Sequence, residues 1–113
     1  MANPYAGEVA LIVDGQERVL KLTLGALAEL EEALGEDTLV ALIDRFEGGG
    51  YSARDLMALV LAGLRGGGWS GTGRDLAHAT IEGGPMEAAR VAARLLAVAF
   101  SVPASPAGGA YAV

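Results

Sequence analysis

His78 is the only histidine in the chain, so any imidazole chemistry has to be built around it. Ser70 and Asp75 are the residues that would complete a hydroxyl–imidazole–carboxylate trio. A serine nucleophile needs a sharp strand-to-helix elbow, G-x-S-x-G, to expose and activate its hydroxyl. Gly68-Trp69-Ser70-Gly71-Thr72 lacks the second glycine at the required place. Asp75 and His78, three residues apart on a helix, are spaced for a surface pair or for water. Hydrolysis is disfavoured. The string Gly66-Gly67-Gly68-Trp69-Ser70-Gly71 satisfies G-x-G-x-x-G in form. A dinucleotide fingerprint, however, follows a strand and opens a helix, whereas this string follows a helical stretch and reads as a flexible connector. One histidine with scattered carboxylates offers no ligand cluster for a metal. Glu29, Glu31, Glu32, Glu36 and Asp37 lack the spacing of a calcium loop and read as solvated helix surface able to steer a basic partner. No metal, no cofactor and no enzymatic activity are expected.

Composition points the same way. The 113 residues fit one domain, and 52% apolar residues give it material for a single core. Eight Lys/Arg against fourteen Asp/Glu leave a net charge of −6, which disfavours a phosphate-binding surface and hence nucleic acid. With no cysteine there is no disulfide, thiolate site or cysteine nucleophile. Met1–Gly7 has no basic region followed by an apolar stretch, so no signal peptide is expected. The longest apolar-and-glycine run, Leu56–Leu64, is about half of the roughly 18 residues a membrane span needs. The expectation is a cytoplasmic protein with no membrane contact.

The elements that must position any surface follow from periodicity and punctuation. Glu8–Asp14 and Glu17–Thr23 alternate as two strands of a hairpin. A type I′ turn on Asp14-Gly15 would set Leu11 opposite Arg18. A type II′ turn on Gly15-Gln16 sets Val9 opposite Leu22 and Leu11 opposite Leu20, and its apolar pairs make it the preferred register. A lone hairpin is marginal in water, so it must pack on helices. Thr23 caps Leu24–Leu34, with Gly35 at its C-terminus; Asp37 or Thr38 caps a helix to about Glu47. Ser52 and Asp55 form a capping box for a third helix to about Arg65. A short helix is expected over Arg74–Ile81, and Pro85 opens a long last helix ending near Phe100. The fold class is α+β: an N-terminal antiparallel hairpin on four to five helices, with Leu56–Leu64 central. Residues 1–100 form the domain, and 101–113, with Pro103, Pro106 and Gly108-Gly109, read as a flexible tail. The core should contain Leu11, Leu20, Leu27, Leu30, Leu42, Phe46, Leu59, Leu95 and Leu96.

Two helices carry more apolar circumference than a small domain readily covers. Leu56–Leu64 has no charged residue, and Met86–Phe100 has only Glu87, Arg90 and Arg94, all on one narrow stripe. Part of the last helix is therefore a candidate partner-binding patch, with Val91, Leu95 and Val98 as its provisional residues. Trp69 reads as a plug over the core or a contact residue, and Glu29 and Glu32 supply the charged alternative.

The succession from Gly7 to Phe100 resembles the small tail protein of gene transfer agents, a branch of the phage tail assembly chaperones. The resemblance rests on Gly7-Glu8-Val9, Leu22-Thr23-Leu24-Gly25-Ala26-Leu27-Ala28-Glu29-Leu30-Glu31 and Arg45-Phe46-Glu47-Gly48-Gly49. It continues through Ala62-Gly63-Leu64-Arg65-Gly66-Gly67-Gly68-Trp69 and the Gly83-Gly84-Pro85 entry to an alanine-rich helix. It implies a non-enzymatic chaperone in the bacterial cytoplasm, encoded in a gene transfer agent or prophage. Its partner would be the tape-measure protein, bound before the tail tube polymerises, with tail-tube protein and self-association as further contacts. The alternative is a permanent minor component of the tail tube, and a more remote reading is an acidic protein-interaction module.

Overall fold

The computed structural model describes residues 2–35 and 38–100. A short 3₁₀ turn, Pro4–Ala6, leads into the antiparallel strands β1 (Glu8–Val13) and β2 (Gln16–Lys21). Five helices follow: α1 (Leu24–Leu34), α2 (Leu39–Gly48), α3 (Ala53–Gly66), α4 (Gly73–Ala77) and α5 (Gly84–Phe100). The architecture is the α+β hairpin-on-helices expected. Residues 101–113, read as a tail, lie outside the described residues.

Four of the helices start on local hydroxyl caps. Thr23 and Thr38 accept the N–H groups of Ala26 and Ala41, each at 3.1 Å. Ser52 with Asp55 and Thr72 with Asp75 close full capping boxes, in which hydroxyl and carboxylate satisfy each other's orphan N–H. The expected helix over Arg74–Ile81 is cut short at Ala77, because Ile81 instead bridges to Val13 at the edge of β1.

That bridge also explains the hairpin register. The strands pair Val9 with Leu20, Leu11 with Arg18 and Val13 with Gln16, around Asp14 (φ 52°) and Gly15 (φ 80°). This is the type I′ turn, not the expected type II′. Thr80 decides it, donating its N–H to Asp14 Oδ1 and accepting the Asp14 N–H, both at 2.8 Å. The two bonds hold Asp14 at positive φ, which aspartate tolerates. Val9, Leu11 and Val13 still face inward with Leu20, and Arg18 lays its stem along the same face.

Helix α3 is central, packing on β2, α1, α4 and α5. Leu20, Leu30, Leu42, Leu59, Leu64, Val91 and Leu95 are fully buried, and Leu11 and Leu96 nearly so. Two expected core residues are only half-buried. Leu27 lies at the margin of the α1 face buried through Ala26 and Leu30, and Phe46 stacks on Tyr51, with ring centroids 4.4 Å apart, at the edge of the core. The glycine string is no free connector at its start. A Cβ at Gly66 would collide with the Lys21 carbonyl, and one at Gly67 with that of Val19. These glycines let α3 dock on the backbone of β2.

Candidate functional site

Of the trio weighed for hydrolysis, Asp75 and His78 are held by local bonds. Asp75 Oδ2 accepts the Thr72 N–H at 2.9 Å and its hydroxyl at 3.1 Å, and His78 Nδ1 lies 2.9 Å from the Arg74 carbonyl. No bond joins Ser70, Asp75 and His78. Among the described residues no cluster of His, Asp and Glu is placed to hold a metal ion, and no helix is long and apolar enough to cross a membrane.

The provisional partner face has to be corrected. Val91 and Leu95 are completely buried, and Val98 is half-buried against the core. With Ala88, Ala92 and Leu96 they form the side of α5 that packs on β1 and α3. Trp69 is a plug: half-buried against the core, with its backbone N–H donating to the Leu64 carbonyl at 2.9 Å and its ring packed beside Gly71. Glu29 is exposed and paired with Arg65 Nε at 2.9 Å, which ties α1 to the end of α3. Glu32 is exposed at the rim of the cleft between α1 and α3.

The exposed side of α5 carries a different set. Met86 (85% exposed), Ala93, Ala97 and Phe100 (40% exposed) recur at helical spacing, flanked by Arg90 and Arg94. Ala93, Ala97 and Phe100 form one wall of a groove of about 400 Å³, with Ile43, Phe46 and Glu47 of α2 as the other. Neither polarity nor size in the sequence marks this side, because alanines lie on both: Ala88 and Ala92 are buried, whereas Ala93 and Ala97 are exposed with Met86 and Phe100.

One buried charge lies away from this groove, at the junction of α2 and α3. Asp55 accepts Arg45 Nε at 2.7 Å and Nη2 at 2.9 Å while closing the α3 capping box. The Arg45 hydrogen bond holds the Asp55 carboxyl below its ordinary value; burial opposes the shift, and the Ser52 N–H reinforces it. This group joins α2 to the start of α3, where Arg45, Ser52 and Asp55 line a cavity of about 300 Å³. Arg90 similarly lowers Glu87, at the exposed surface of α5.

The arrangement therefore offers faces rather than a reaction centre. A model of the family described as phage tail tube protein, GTA-gp10, matches residues 6–102. The chain belongs to that family. No curated protein and no solved structure matches the chain. Membership supports the gene transfer agent and phage-tail part of the resemblance and overturns the chaperone reading, since the family is described as a tube protein. Nothing in the match brings in a tape-measure partner, and the family suggests association with copies of itself and with other tail parts.

Proposed function

We propose that the protein is a permanent structural subunit of a tail tube of phage type, built in the bacterial cytoplasm into a gene transfer agent or prophage tail. The family match over residues 6–102 carries this reading. The surface is consistent with it: large apolar side chains stay exposed on α1 (Leu24) and α5 (Met86, Phe100) beside charged residues. Such faces gain free energy when subunits stack, at roughly 25 cal/mol per Å² buried before association costs. No catalytic step is assigned.

The test is location. Particles purified by density gradient should contain the chain at many copies each, measured by quantitative mass spectrometry, and antibody-gold should decorate the tail. A chain abundant in the lysate and missing from finished particles would overturn the reading.

A further inference from the structure

We propose that the outward face of α5 receives the outward face of α1 from a second copy of this chain, head to tail. The inference deepens the tail-tube reading by naming the faces that join neighbouring subunits. On α1 the outward residues are Leu24 (86% exposed), Ala28, Glu31 and Glu32. On α5 they are Ala93, Ala97 and Phe100, with Arg94 beside them. Glu31, Glu32 and Arg94 form no ion pair among the described residues, so one face offers unspent negative charge and the other an unspent positive charge.

The spacings agree for an antiparallel approach. Leu24 and Glu31 are seven residues apart, about 10.5 Å along the helix, and Phe100 and Arg94 are six apart, about 9 Å. With Leu24 seated against Phe100 in the α2–α5 groove, Ala28 lies across from Ala97, where two methyl side chains allow close helix approach. Glu31 and Glu32 then lie within reach of Arg94. The positive end of α1 meets Glu47, which lines the same groove and has no ion-pair partner among the described residues. Two copies of the α5 face, by contrast, would bring Arg90 and Arg94 against each other.

The proposed contact is heterologous, with the α1 face given to one neighbour and the α5 face to another. Helices α1 and α5 both pack on α3 and are not principal neighbours of each other; Leu24, Ala28 and Glu31 are exposed on α1, and Glu32 rims the cleft between α1 and α3. The two faces cannot meet within one chain. Every added copy leaves one face of each kind open, which is the condition for a ring or a filament rather than a closed dimer.

Charge reversal on each face tests this. Wild-type chain should sediment as a concentration-dependent series of oligomers at low salt, shifting towards monomer as salt screens the charges. Arg94→Glu alone, and Glu31→Arg with Glu32→Arg alone, should each weaken association by roughly tenfold or more, with circular dichroism melts unchanged. An equimolar mixture of the two variants should associate again, because each junction regains opposite charges. Wild-type-like oligomers from either variant, a mixture that stays monomeric, or a wild type that stays monomeric would overturn the head-to-tail contact. The tube reading is judged separately by the presence of the chain in particles, so the two failures are distinct.

Discussion

Small residues line both the seam between α3 and β2 and the groove between α2 and α5, with opposite results. In the seam, Gly66 and Gly67 bring a helix end onto the Lys21 and Val19 carbonyls with no room for a methyl group. In the groove, Ala93 and Ala97 leave an open channel edged by Phe46 and Phe100. The difference is what lies opposite. A backbone at contact distance turns smallness into close packing, whereas solvent opposite the same kind of residue leaves a vacant face.

The sharpest way to break the comparison is at the seam. Gly67→Val should cost about 3 kcal/mol or more, because backbone on both sides has to move. Gly67 has φ −86°, which any residue adopts, so the loss would report the contact and not strain. Denaturant unfolding measures it; a cost below about 1 kcal/mol would place β2 farther from α3. Leu59→Ala, in the fully buried centre of α3, should cost about 2–5 kcal/mol in the same measurement.

Asp55→Asn sharpens the comparison at the start of α3. Loss of the paired charge should cost about 2–4 kcal/mol, reduced from the fully buried case because the Arg45 side chain is 27% exposed. The pH dependence carries the same sign. The folded carboxyl titrates below its unfolded value, so its stabilisation is complete above about pH 5 and is lost as pH falls through 4 and below. The wild type should lose thermal stability across that acid range by more than the Asn variant does.

Thr72→Ala tests the matching capping box without a buried cation. It should cost only about 1 kcal/mol, since α4 is short and Asp75 exposed. At the groove, Arg94→Glu should change monomer stability by less than about 0.5 kcal/mol, as an exposed charge with no described partner. A larger thermal shift would show that Arg94 belongs to the fold rather than to a free face.

Much of this fold was legible before the structure, and the residues show why. Thr23, Ser52 with Asp55, and Gly35 mark helix ends through bonds that span at most four residues, so a short window of sequence contains both partners. The candidate surface was less legible. Every residue of α5 that could face inward or outward is apolar apart from one charged stripe, so polarity alone leaves its rotation open. Val91 and Leu95, expected on a partner face, are therefore found in the core.

The sequence by itself determined the presence of the hairpin and the helix starts, because each is a local pattern of hydrogen-bonding groups or side-chain period. Only the tertiary structure decided the rest. Thr80 selects the turn from 66 residues away, Arg45 meets Asp55 across a helix junction, and β2 gives the α3 glycines their purpose. Each depends on which backbone or charge arrives opposite a residue, and that is a property of packing rather than of neighbours in the chain.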